Sequence, residues 1–153
     1  MASFTKTEIQ EATGASVAVS GEKTLFSGVE TDTRVIGRDA LFVALKGERF
    51  DGHDFVGKAV QQGAAGVIVS EMRDEYREYG IAVFVADDTL KAYQALARFH
   101  RRRFSIPVVA VTGSVGKTST RNMIASVLSQ KYDVLQTEKN STTKSACRAR
   151  CCS

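Results

Sequence analysis

Residues 110–120 read Ala-Val-Thr-Gly-Ser-Val-Gly-Lys-Thr-Ser-Thr, a pattern suited to holding a phosphate. The β-branched residues Val108, Val109 and Val111 lead into Gly113-Ser114-Val115-Gly116. Lys117, Thr118 and Ser119 then open a helical pattern. A strand, a tight glycine loop and a helix N-terminus gather backbone N–H groups around one anion. The lysine adds a compact positive charge, and the threonine hydroxyl suits a magnesium ion. Only two residues separate Gly113 from Gly116-Lys117, where the general phosphate loop has about four. The placement between strand and helix therefore carries much of the signal.

That loop needs elements on both sides, and the chain supplies alternating ones. Thr5 and Glu8 have the spacing of a capping box opening a short first helix. Residues 29–33 and 41–45 read as strands, separated by the turn Ile36-Gly37-Arg38-Asp39. Asp54 can cap a helix through Gln62, with Phe55, Ala59 and Val60 on its apolar face and Gly63 ending it. Residues 66–69 and 81–85 are short buried-type strands. Asp87-Asp88-Thr89 caps a longer helix carrying Leu90, Tyr93, Leu96, Ala97 and His100 along one side. Pro107 leads into a strand at 108–112, and another strand begins at 132–135. Met123, Ile124, Val127 and Leu128 have core spacing on the helix between them. Strands alternating with helices predict an α/β fold. The reading is a small N-terminal α/β domain over 1–86, the start of a parallel α/β domain over 87–140, and a tail over 141–153.

Composition fits this picture. With 43% hydrophobic and 25% charged residues, the 153-residue chain is ordinary for a globular protein. The N-terminal residues are polar, without an apolar signal core, and no apolar run is long enough to span a bilayer. A cytoplasmic monomer is expected. The net charge of +4 is unevenly distributed. Without Lys144, Arg148 and Arg150, 18 basic residues nearly balance 17 acidic ones, so global charge makes no case for nucleic acid. Arg101-Arg102-Arg103 reads as the solvated C-terminal end of a helix, where cations suit the dipole. Cys147, Cys151 and Cys152 all fall in the tail, at a spacing that matches no common zinc pattern.

The shortened loop Thr-Gly-Ser-Val-Gly-Lys-Thr-Ser resembles the ATP loop of the Mur ligases. A separate region agrees with it. Thr31-Asp32-Thr33-Arg34, Gly37-Arg38-Asp39-Ala40-Leu41-Phe42-Val43-Ala44-Leu45-Lys46-Gly47 and Asp51-Gly52-His53-Asp54-Phe55 are similar to that family's uridine-nucleotide-binding domain. The wording is nearest to the members that add D-alanyl-D-alanine to UDP-N-acetylmuramoyl-tripeptide in cell-wall synthesis; a sibling ligase adding another amino acid remains open. The resemblance implies that ATP phosphorylates a substrate carboxylate and that an amine then attacks the acyl phosphate. It implies ATP at Gly113, Ser114, Val115, Gly116, Lys117, Thr118 and Ser119, with Lys117 neutralising phosphoryl charge and Thr118 helping to hold Mg2+. It also implies the UDP moiety at Thr31, Thr33, Arg34, Glu48, Arg49 and Phe50. Threonine hydroxyls suit a uracil or a diphosphate. Arg34 either binds phosphate or pairs with Asp32 or Asp39. Asp51 and His53 either belong to the site or fix the turn.

Beyond Asn140 the likeness stops. For one choice of codons, restoring a single T after Asn140 turns the tail into Phe-Asn-Asn-Glu-Ile-Gly-Leu-Pro, the continuation expected of the family. Residues 141–153 are therefore read as a frameshift product, and a chain inactive in ligation is expected. A uridine-nucleotide-binding module without catalysis is the second reading. A small kinase or GTPase is the third; such a fold needs a complete nucleotide domain, for which the length after Lys117 is too short.

Overall fold

The computed structural model describes residues 3–47 and 50–136. It divides into two units, one ending at Arg103 and the other beginning at Phe104.

Buried apolar runs build the first unit. Strands β4 (Val29–Glu30), β5 (Ala40–Val43), β6 (Ala64–Val69) and β7 (Ala82–Val85) pair in parallel in that order. Every residue of β5 and β6 is buried, as expected for a parallel sheet covered on both faces. Strand β2 (Ser16–Val19) adds antiparallel to β7 and completes five strands. Strands β1 (Ser3–Thr5) and β3 (Leu25–Ser27) form a separate antiparallel pair.

Helix α1 (Lys6–Thr13) opens with the capping box expected of Thr5 and Glu8, and Gly14 closes it in the left-handed region. Helix α2 (Val56–Gln61) packs Val56 and Ala59 against Phe42, Val67 and Val83, with Tyr76 in the same cluster. Phe26 meets Phe84 edge-on, 5.9 Å between ring centroids. Gly66 leaves room for the Phe26 ring, which a Cβ there would approach to 2.6 Å. Helix α3 (Thr89–Arg102) is capped by Asp88, which accepts from the N–H groups of Leu90 and Lys91.

Several expectations differ from the structure. The strand expected at 29–33 stops at Glu30, because Asp32 accepts from the Arg34 N–H and turns the chain into a 3-10 turn over Thr33–Val35. Asp54 is not a helix cap: Asp51 caps a 3-10 turn, Gly52–Phe55, that runs into α2. The first unit also runs past Ala86, because α3 packs on α1. Arg103 fastens that packing, donating to the Ser3 carbonyl at 2.8 Å and pairing with Glu8 at 2.6 Å. Its guanidinium lies 5.0 Å from the Phe4 and Phe99 ring centroids, so it is more than a solvated helix end.

In the second unit, helix α4 (Lys117–Leu128) forms as expected. Residues 108–112 and 132–135 form no strand, and no described segment pairs with them. Val108 and Val109 are 67% and 60% exposed. Met123 and Val127 are exposed too, leaving Ala125 as the buried residue of α4.

Candidate functional site

Parallel strands direct their carboxyl ends to one edge of a sheet, where α/β folds commonly bind ligands. At that edge of the first unit, Thr31, Thr33 and Arg34 follow β4, and residues 44–47 follow β5. The segment after β6 begins at Ser70, and the one after β7 at Ala86.

Thr33 is buried and Thr31 half-buried. Arg34 makes a forked contact with Asp32, Nε–Oδ1 at 3.0 Å and Nη2–Oδ2 at 2.6 Å. Hydrogen bonding to Asp32 raises its pKa further above the ordinary guanidinium value. Asp39 pairs instead with Lys23 at 3.2 Å. Of the two ion pairs open to Arg34 from sequence, the structure forms the one with Asp32. Glu48 and Arg49 lie outside the described residues. Phe50 is 57% exposed, and its carbonyl accepts from the Gly47 N–H at 2.9 Å. A bridge between Lys46 and Asp51 closes the base of this loop.

The Asp51-Gly52-His53 motif has a definite geometry. Asp51 Oδ1 accepts from the His53 N–H at 2.9 Å and contacts His53 Nδ1 at 2.5 Å. The backbone bond from His53 is the main reason the Asp51 carboxyl titrates below its usual value. His53 is 2% exposed, and its Nε2 accepts from the Ser70 N–H at 2.9 Å, with Ser70 Oγ 3.1 Å away. Gly52 is required by close approach: a Cβ there would lie 2.7 Å from both the N and O of Leu45. Sequence reasoning missed Ser70, which lies 17 residues beyond His53 with no motif linking them. The buried environment also acts on Tyr76, whose hydroxyl is pushed up to about 12. Next to this relay, Arg73 bridges Asp54 at 3.2 Å and Glu71 at 3.6 Å.

In the second unit, Gly113 and Gly116 both adopt positive φ, +147° and +76°. An L side chain is strained in that region, so glycine allows the turn. Gly116 caps α4 without a side-chain bond, and Lys117, Thr118 and Ser119 form the first helical turn. The N–H groups of such a turn have no partner within the helix. Lys117 Nζ folds back on the loop, donating to the Gly113 carbonyl and, at 3.4 Å, to that of Ser114. Val115 stands at the exposed tip between them. This arrangement presents backbone donors and an ammonium to one small volume, which is anion chemistry. Thr118 offers a hard oxygen of the kind magnesium accepts. Among the described residues no group of three or more His, Cys, Asp or Glu could hold a metal ion.

Comparison with known proteins matches both units. The model for the Mur ligase family, catalytic domain, covers residues 25–103, ending where the first unit ends. The Mur ligase middle domain model covers 111–150, passing Asn140. A UDP-N-acetylmuramoyl-tripeptide--D-alanyl-D-alanine ligase from Synechocystis is 44% identical over 125 residues, 82% of this chain and 27% of its own length. A crystal structure of MurF from Acinetobacter baumannii superposes with a TM-score of 0.80 at 34% identity, covering 92% of this chain and 30% of that one. A MurF ligase from Thermotoga maritima, solved in complex with ADP, gives 0.63 at 34% identity over 73% of this chain and 25% of that one. The chain thus spans about a quarter of the length of the curated relative it matches.

Proposed function

Because the chain belongs to the Mur ligase family, we propose that it carries the substrate-nucleotide edge and the ATP loop of a ligase joining D-alanyl-D-alanine to UDP-N-acetylmuramoyl-tripeptide. The observation that carries this reading is the 113–118 loop: two glycines with positive φ leading into a helix start without a side-chain cap, and Lys117 folded over the loop. The names of the relatives supply the substrates, and the ADP complex of the Thermotoga relative supports an adenine nucleotide as a ligand.

In this reading the first-turn N–H groups of α4 bind the ATP phosphates. Lys117 exchanges its loop carbonyls for phosphate oxygens and balances charge on the transferring group. Transfer to the tripeptide carboxylate gives an acyl phosphate and ADP, and the amine of D-alanyl-D-alanine displaces phosphate. A bound Mg2+ would neutralise phosphate charge, with the Thr118 hydroxyl as its contact on this chain. Thr31, Thr33, Arg34 and the loop carrying Glu48, Arg49 and Phe50 hold the UDP moiety. Such substrates place the work in the cytoplasm. Among the described residues no helix is long and apolar enough to cross a membrane.

In this reading the chain binds UDP at the sheet edge and ATP at the 113–118 loop. Calorimetric titration with UDP and with ATP–Mg2+ tests the two halves of the reading separately, and Lys117→Ala should abolish only the second signal. Failure to bind either nucleotide would overturn the reading.

A further inference from the structure

The Asp51–His53–Ser70 relay, in which a buried imidazole joins half-buried Asp51 to exposed Ser70, is a polar device that turn formation alone does not require. A 3-10 turn at 52–55 needs only the Asp51 cap on the His53 N–H. The imidazole goes further and reaches the first residue after β6. A backbone N–H can only donate, so the Ser70 N–H makes Nε2 an acceptor. The proton therefore sits on Nδ1 and is donated to Asp51. Asp51 is also the closing residue of the loop base, opposite Lys46, and Phe50 beside it holds Gly47. One buried ring thus ties the loop leaving β5 to the loop leaving β6.

We propose that His53 is a positioning residue: through Asp51 and Ser70 it locks Lys46, Gly47, Phe50 and Asp51 at the sheet edge, and so sets the affinity of that edge for a uridine diphosphate. The proposal rests on the nucleotide reading of this edge given above. It predicts that both ends of the relay matter together. Asparagine can keep a donor near Asp51 but cannot reach Ser70. Glutamine can keep an acceptor for Ser70 but loses the donor to Asp51.

The test measures UDP affinity by calorimetry and hydrogen exchange at the Gly47 amide, in the full chain and in His53→Asn. Loss of one of these part-buried hydrogen bonds corresponds to about tenfold weaker binding and about tenfold faster Gly47 exchange. Leu96→Ala, in α3, serves as the control: it lowers the melting temperature while UDP affinity and Gly47 exchange stay as in the unaltered chain. A His53→Asn chain that binds UDP normally and protects Gly47 normally overturns the proposal, since the histidine would then only shape its own turn. If the unaltered chain does not bind UDP, the nucleotide reading falls, and the relay is judged by Gly47 exchange alone. Should His53→Asn fail to fold, His53→Gln takes its place with the same deciding results.

Discussion

Residues 64–69 and 108–112 are both short runs rich in valine and alanine, and they have opposite fates. The first forms β6, with β5 on one side and β7 on the other, and all of it is buried. The second has no described strand beside it, and Val108 and Val109 face solvent. An apolar, β-branched run states a capacity for pairing, and a neighbouring strand turns it into structure. The same contrast separates the helices. Helix α3 buries Ala92, Tyr93 and Leu96, while α4 buries Ala125 and leaves Met123 and Val127 exposed. Most of the stability of an amphipathic helix comes from the surface it packs on.

The largest expected effect follows directly from this contrast. Phe42→Ala removes a core ring and should lower unfolding stability by about 3–5 kcal/mol, while Val109→Ala should change it by less than about 0.5 kcal/mol. Urea unfolding followed by circular dichroism reads both, and equal losses would erase the distinction between the regions. Glycine substitutions sharpen it at the next level. Gly52→Ala forces a Cβ onto the Leu45 backbone and should cost about 1–3 kcal/mol of the cooperative transition. Gly116→Ala meets open space and carries only the left-handed strain, about 1–2 kcal/mol, felt locally. It should show in ATP affinity more than in urea unfolding.

The smallest effect is electrostatic. The Glu8 carboxyl titrates below 4.5, chiefly through the Thr5 N–H and with help from Arg103; Asp51 titrates below 3.8 through His53. Carboxylates with depressed folded values contribute stability that is complete above those unfolded values and lost as pH falls through the folded ones. Melting temperature should therefore hold down to about pH 4.5 and decline below it, and Glu8→Gln should flatten the decline. An unchanged slope in that variant would remove Glu8 from the account.

Much of the first unit was legible before the fold was known. The strands at 41–45, 66–69 and 81–85, the Thr5–Glu8 capping box and the Asp88 cap follow from local pattern and appear within a residue or two of their expected bounds. The short strands β1, β2 and β3 were not legible: they hold three or four residues each, and β1 and β3 each bury only a single phenylalanine, Phe4 and Phe26. Too few alternations exist there to form a period. At the candidate site, the glycine loop declares itself by spacing, because its contacts are local. The Asp51–His53–Ser70 relay does not, because its last bond joins a 3-10 turn to the residue after a strand, 17 positions on. Arg103 was hidden for the same reason, in a run of arginines with nothing local to distinguish it.

The Arg103 contacts also make the first unit a closed circuit. Ser3 and Arg103 are 100 positions apart and joined by a hydrogen bond, with Phe4 and Glu8 completing the clasp. The chain therefore enters and leaves this unit at one spot, as permutable domains do. A short linker joining its two ends, with new termini opened at an exposed turn, should return the same sheet, and the unit could be inserted into the loop of another protein as a module.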